Sequence, residues 1–177
     1  MCIRDRRIYA AGKSVGGGFV SALACDPKLG PQFAAFAPVS GAFYWDTPAN
    51  HTNCDPGKRP SGKTPMIEFH GLDDTIIPYT GGVHNGINLP IVGSQWSVYW
   101  KQRNGCDVGQ KPTITPSFDN NVKKMVYSGC EMVHWSINNL GHAWPSTIPN
   151  PDNSQGTYLN ATEYIMSWFR IHTLSGK

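Results

Sequence analysis

A serine flanked by glycines, directly after a short apolar run, is the feature that most restricts how this chain can fold. Residues 7–11 read RIYAA and predict a strand, and residues 12–16, GKSVG, follow at once. The G-x-S-x-G spacing is typical of a tight strand-to-helix turn that exposes the side chain of Ser14 above a parallel sheet. Small residues are needed there because the backbone segments pass close together. The pattern alone also fits an ordinary glycine-rich turn, so the rest of the chain must decide.

The hydrophobic pattern of the remaining chain predicts an α/β fold with a mostly parallel sheet and flanking helices. Residues 32–39 form an almost continuous apolar run, which suits a strand buried on both faces. Further strands are predicted at 65–70 and 131–137, an antiparallel hairpin within 110–129, a loop over 46–64, and helices at 15–25, at 92–103 and from Asn160. Asn160 is expected to cap the last helix, with Glu163 as its capping-box partner.

Composition limits the classes of partner. The chain has 177 residues, of which 40% are hydrophobic and 15% charged, and its net charge is +3. This suits one globular domain with a real core. Lysines and arginines are scattered rather than clustered, so we expect no nucleic-acid partner. No apolar stretch approaches the roughly 20 residues that span a bilayer, so no membrane partner is expected either.

A carboxylate follows the predicted strand 65–70, as the serine turn requires. This strand leads into HGLDDTIIPY, which places Asp73 and Asp74 just past its carboxyl end, at the catalytic edge of a parallel sheet. Hydrolases with this serine turn often carry an H-G-x-x-D-x-x-V-P pattern, in which the catalytic acid lies four residues after the histidine. Counted from His70, that residue is Asp74, which leaves Asp73 as a turn residue.

A histidine follows the last predicted strand, where the base of such a site belongs. The stretch NNLGHAWP places His142 in the loop between that strand and the final helix. The order along the chain is nucleophile, acid and base, so Ser14, Asp74 and His142 are predicted as catalytic residues. The backbone N–H of Val15 is predicted as one oxyanion donor. The other histidines suit the role of base less well, because they lie in loops without a preceding strand or inside regular elements: His51, His70, His84, His134 and His172.

Four motifs together resemble secreted feruloyl esterases of the fungal type, α/β-hydrolases related to polyhydroxybutyrate depolymerases. They are GKSVGGGF, HGLDDTIIPYTGG, RNGC and GHAWP. The resemblance implies an α/β-hydrolase fold and a serine esterase that hydrolyses feruloyl esters of plant cell-wall polysaccharide through an acyl-enzyme, without cofactor or metal. An acetylxylan esterase, a polyester depolymerase, a peptidase and a non-catalytic carbohydrate-binding protein stay open as alternatives. Aromatic candidates for binding the acyl group are Tyr79, Trp144 and the run of Phe43, Tyr44 and Trp45.

The cysteines and one sequon bear on the compartment. Cys2 aside, four cysteines can pair in three ways, and pairing neighbours along the chain gives Cys25–Cys54 and Cys106–Cys130. The resemblance implies the second of these pairs. The sequon at Asn50 is a candidate glycosylation site. Together these features favour a secreted, extracellular protein, whereas reduced cysteines would fit an intracellular hydrolase.

The first residues, MCIRDR, resemble the translation of a sequencing-library adapter. We therefore expect residues 1–6 to be an artefact and residues 7–177 to be the C-terminal part of a hydrolase domain. On this interpretation the strands before Ser14, and the loop that supplies a second oxyanion donor in this fold, precede the chain. The full-length protein is expected to be a monomer.

Overall fold

Strands and helices alternate along most of the chain. The computed structural model describes residues 5–44, 54–57, 59 and 61–174. Among these residues, strands β1–β8 span Tyr9–Lys13, Ala35–Val39, Met66–Gly71, Gly82–His84, Ile87–Leu89, Thr113–Ser117, Val122–Tyr127 and Met132–Ile137. Helices α1–α3 span Val15–Ala24, Ser97–Arg103 and Ala161–Ile171, a π-helical turn at Val92–Trp96 leads into α2, and short 3₁₀ turns lie at Asp5–Arg7 and Gly30–Gln32.

Six of the described strands form one sheet in the order β1-β2-β3-β8-β7-β6. The first four pair in parallel, and β7 and β6 extend the sheet as an antiparallel hairpin. Every residue of β2, β3 and β8 is buried, as expected for central strands covered on both faces. The predicted α/β fold with a mostly parallel sheet is therefore confirmed, and β1 lies at one edge of the described sheet.

Alternate side chains of the central strands pack on opposite faces of the sheet. On one face, Phe69 stacks on Trp135 with ring centroids 5.5 Å apart, and α3 covers this layer with its apolar stripe. On the other face, Met66 and Met132 pack against residues of α1 and α2, including Trp100. The two layers fix the sheet between α3 on one side and α1 and α2 on the other.

Three local expectations differ from the structure. The hairpin β4–β5 was not predicted, although its turn, Asn85-Gly86, has the positive φ values typical of a tight hairpin. The predicted helix 92–103 begins with the π-helical turn. Asn160 occupies the N-cap position of α3 as predicted, but the predicted capping box is wrong. Its Oδ1 accepts hydrogen bonds from the backbone and hydroxyl of Thr147, and its amide donates to Glu163. About half of the predicted loop 46–64, including Asn50, lies outside the described residues.

Both disulfides that neighbour pairing predicts are present. The Cα atoms are 4.6 Å apart in Cys25–Cys54 and 5.8 Å apart in Cys106–Cys130. The first joins the end of α1 to a later loop, and the second joins the segment after α2 to the start of β8. Among the helices of the described residues, none is long and apolar enough to span a bilayer.

Candidate active site

Ser14 occupies a strained turn between β1 and α1. Its backbone has φ 61° and ψ −125°, a region that residues with a side chain adopt at a cost of about 1–3 kcal/mol. Its N–H donates to the carbonyl of Val39 at 3.0 Å, and its own carbonyl accepts from Ala42 at 3.0 Å. The turn is thus fastened to the end of β2, and the conformation is the one expected when a serine is presented at the top of a sheet.

Asp74 and His142 are in direct contact. Asp74 follows β3, is buried, and accepts a hydrogen bond from His142 Nδ1 on its Oδ2 at 2.8 Å. Its Oδ1 accepts from the backbone N–H groups of Ile76 and Ile77, at 2.9 and 2.8 Å. Asp73 is exposed, so the competing carboxylate does not occupy this place. Donation from Nδ1 leaves Nε2 of His142 as the nitrogen that can accept a proton.

The pKa of Asp74 keeps it ionised. Burial alone would raise this pKa, but hydrogen bonds from His142, His70 and Ile77 outweigh burial and hold it well below its usual range. A carboxylate fixed in this state orients the imidazole of His142 and stabilises the cation that forms when the ring takes up a proton.

Ser14 lies at the same edge of the sheet as the acid and the histidine. Ser40, the residue after β2, donates from its hydroxyl to the carbonyl of Ala143 at 3.4 Å, while the preceding Val39 holds Ser14. One short segment thus connects the serine turn to the His142 loop. Among the described residues no hydrogen bond joins Ser14 Oγ to His142, an arrangement found in many unliganded sites. The catalytic roles of the three residues stay a prediction.

The first turn of α1 is the candidate oxyanion site. Val15 is the first residue of this helix and is 65% exposed. Its backbone N–H has no carbonyl partner within the helix, because the first four N–H groups of a helix lack one. This N–H is therefore available to a ligand, and the oxyanion role of Val15 stays a prediction. Within the described ranges, no cluster of His, Cys, Asp or Glu side chains has the arrangement of a metal site.

Four of the five aromatic candidates for the predicted acyl pocket lie among the described residues, and one of them, Phe43, is buried against Trp96. Tyr79 stacks on His134 and its hydroxyl lies 3.1 Å from His134 Nε2. Trp144 donates from its indole to Thr162 of α3, and Tyr44 stacks on His84. Trp45 lies outside the described residues. Tyr79 therefore contacts the buried His134. The substrate-binding roles of Tyr79, Trp144 and Tyr44 stay predictions.

Two groups near the site were missed by the sequence analysis. Lys13, inside the serine motif, forms an ion pair with Asp152 at 2.5 Å, which fastens the loop that follows His142 over β1. Behind Asp74 lies a buried cluster of Glu68, His70 and His134. A glutamate inside the apolar strand MIEFH was a signal that could have pointed to the cluster.

Comparison with known proteins supports both the fold and the resemblance. The sequence is 31% identical over 147 residues to feruloyl esterase B of Piromyces equi, an alignment that covers 80% of this chain and 26% of the relative. It is 29% identical over 120 residues to a probable feruloyl esterase C of Aspergillus clavatus, covering 66% and 36%. The resemblance to feruloyl esterases is confirmed. The chain spans only about a quarter to a third of the length of these relatives. No protein-family profile matches the sequence.

Solved structures agree on the architecture. The acetyl xylan esterase from Aspergillus awamori superposes with a TM-score of 0.55 at 17% identity, covering 94% of this chain and 60% of that one. The fold is that of an α/β-hydrolase. A SOBER1 variant from Arabidopsis thaliana gives a TM-score of 0.50 at 18% identity and covers 95% of this chain and 54% of its own. In this fold, Ser14, Asp74 and His142 follow β1, β3 and β8, at the carboxyl edge where such folds place their sites.

Proposed function

We propose that this α/β-hydrolase is a serine esterase that releases hydroxycinnamic acids, such as ferulate, from esters of plant cell-wall polysaccharide. The observation that carries the proposal is the Asp74–His142 hydrogen bond beside the strained Ser14 turn. The similarity to proteins named feruloyl esterases supports the substrate class. The two disulfides support secretion, since such bonds persist in oxidising compartments. The greater length of the relatives supports the proposal that residues 7–177 are part of a longer hydrolase domain.

The reaction proceeds in two acyl transfers. His142 Nε2 removes the proton of Ser14 Oγ as the oxygen attacks the ester carbonyl, and the oxyanion accepts a hydrogen bond from the Val15 N–H. The ester C–O bond breaks, the leaving alcohol takes the proton from His142, and the acyl group stays on Ser14. Water, deprotonated by His142, then attacks the acyl-enzyme; the acid leaves and the proton returns to Ser14. Asp74 stabilises the imidazolium in both halves.

The test compares the full-length protein with its Ser14→Ala variant, because the proposed longer domain supplies the second oxyanion donor. Methyl ferulate, acetylated xylan and polyhydroxybutyrate are offered to both proteins, and a fluorophosphonate probe reports the reactive serine. We expect the full-length wild type to release ferulate faster than acetate or hydroxybutyrate and to be labelled at Ser14. Equal rates for the wild type and Ser14→Ala would contradict the proposal. A preference for acetylated xylan or for the polyester would keep the mechanism and replace the substrate.

A further inference from the structure

A buried polar cluster lies behind Asp74 and has no part in the mechanism above. Glu68 and His70 lie on β3, and His134 lies opposite Glu68 on the paired strand β8. All three are fully buried, although charged side chains are rarely found in the interior without a partner. The three residues come from two neighbouring central strands, so the register of β3 against β8 places them side by side.

Both ring nitrogens of His70 face hydrogen-bond acceptors. Nδ1 lies 3.0 Å from Glu68 Oε1, and Nε2 lies 2.8 Å from the carbonyl of Ile77 and 3.5 Å from Asp74 Oδ2. A neutral imidazole has one N–H and one bare nitrogen, so one of its nitrogens would face an acceptor without a hydrogen. The arrangement is satisfied when both nitrogens carry hydrogens, that is, when His70 is an imidazolium.

The other histidine on Glu68 differs in its surroundings. His134 Nδ1 lies 2.5 Å from Glu68 Oε2, but its Nε2 lies 3.1 Å from the hydroxyl of Tyr79. A tyrosine hydroxyl can donate its hydrogen to that nitrogen, so His134 is satisfied as a neutral ring. Among the described side chains of this cluster, the positive charge therefore belongs on His70, between the carboxylates of Glu68 and Asp74.

His70 shares one carboxylate oxygen with His142. Asp74 Oδ2 faces His142 Nδ1 at 2.8 Å and His70 Nε2 at 3.5 Å, whereas Oδ1 is held by backbone N–H groups. A cation on the interior side of Oδ2 keeps the carboxylate from rotating away from His142. We propose that His70, held by Glu68 as a buried imidazolium, is a positioning residue that fixes Asp74 in the orientation that receives His142.

The direction of the pKa values agrees with this arrangement. Burial would lower the pKa of His70, but its hydrogen bonds to Asp74 and Glu68 outweigh burial and raise the pKa to about 10. Burial would likewise raise the pKa of Glu68, yet His134 and His70 hold it below its usual value. The ring of Tyr79 meets His70 edge-on and adds no charge of its own. His70 therefore stays protonated across the range in which an esterase works.

The kinetic test separates positioning from general stability. His70→Leu removes both donors and the charge, and His70→Gln keeps one amide donor without the charge. His134→Gln is the matched control, because it removes the other buried histidine on Glu68 and does not touch Asp74. We expect His70→Leu to lower kcat about 100-fold with little change in KM, His70→Gln to restore part of it, and His134→Gln to stay near the wild type despite a similar loss in Tm. Equal losses of kcat in His70→Leu and His134→Gln would overturn the proposal.

A spectroscopic test does not depend on catalytic turnover. Only the kinetic test of the inference rests on the proposed function. Two-bond ¹H–¹⁵N spectra of the labelled wild-type chain report the protonation of each ring nitrogen, and His70→Gln assigns the signals. We expect both nitrogens of His70 to be protonated from about pH 6 to about pH 8. A bare nitrogen on His70 in this range would overturn the proposal. If the full-length wild type hydrolysed no ester, the proposed function would fail, while the spectra would still decide the state of His70.

Discussion

Replacing Asp74 by asparagine should abolish most of the activity, whereas the same change at its neighbour Asp73 should not. The two substitutions are chemically identical and adjacent in sequence. Asp74 is buried and accepts from Ile76, Ile77 and His142, while Asp73 is exposed. The pair therefore tests which carboxylate serves the histidine.

The size of the effect follows from the donors around Asp74. If the amide oxygen of the Asp74→Asn side chain kept the bonds from Ile76 and Ile77, its NH₂ group would face His142 Nδ1, which also donates. His142 would then be driven to the tautomer with hydrogen on Nε2, and that nitrogen could not accept the serine proton. If the amide turned around, its NH₂ group would meet the two backbone N–H groups instead. Either way we expect kcat/KM to fall about 10⁴-fold, or about 5 kcal/mol.

The assay is ester hydrolysis at pH 7 with a soluble aryl ester, for the wild type, Asp74→Asn and Asp73→Asn. Thermal unfolding of each variant checks that the fold is kept, and Asp74→Asn should lose about 1–3 kcal/mol of stability because it breaks buried hydrogen bonds. The reasoning is refuted if Asp73→Asn is the variant that loses activity, or if Asp74→Asn retains more than about a tenth of it.

Three further predictions concern stability. The pKa of His70 rises to about 10 on folding, so the stability that its protonation contributes is complete below about pH 6.5, its unfolded pKa, and is lost as the pH rises toward 10. Denaturant unfolding should therefore give the wild type a lower free energy of unfolding at pH 9 than at pH 6, a difference that His70→Gln lacks. Gly12→Ala should prevent folding of the serine turn, because a Cβ at this position would lie 2.5 Å from the carbonyl oxygen of Gly16. Gly16→Ala should be tolerated, because a Cβ there meets no atom within 4 Å. Thermal melts followed by circular dichroism should show a lower Tm for Gly12→Ala than for Gly16→Ala. Removing Cys106–Cys130 by a double serine substitution should cost about 3.5 kcal/mol in the chain-entropy treatment, and an unchanged unfolding midpoint would contradict this.

The sequence predicted the parts of the site that local patterns mark. Ser14, Asp74 and His142 each follow a strand, and each of these strands is marked in the sequence by a run of apolar residues. Residues typical of turns flank all three. Parallel strands bring their carboxyl ends to one edge, so position along the chain was enough to place Asp74 and His142 together. Strand bounds were less exact, because β3 lies one residue further along the chain than predicted and β8 begins one residue later.

The buried cluster could not be predicted in the same way, because it depends on register. Glu68 and His134 are 66 residues apart and meet because β3 and β8 pair with these two residues opposite each other. A shift of one residue would turn one of them to the other face of the sheet. The β4–β5 hairpin was missed for a different reason: its strands have three residues each, too few for an alternating pattern to stand out.

In the serine motif, the glycine that completes the G-x-S-x-G pattern is not one of the glycines that close packing requires. Gly16 completes G-x-S-x-G, yet a Cβ there would meet no atom within 4 Å. Besides Gly12, close approaches occur at Gly17, where a Cβ would lie 2.8 Å from the Cα of Gly41, and at Gly18, where it would lie 2.1 Å from the carbonyl oxygen of Ala42. These contacts press the first turn of α1 against the segment after β2. That segment also contains Ser40, which bonds the His142 loop. Gly17 and Gly18 are therefore needed less for the turn itself than for holding the serine turn and the His142 loop against the same segment after β2.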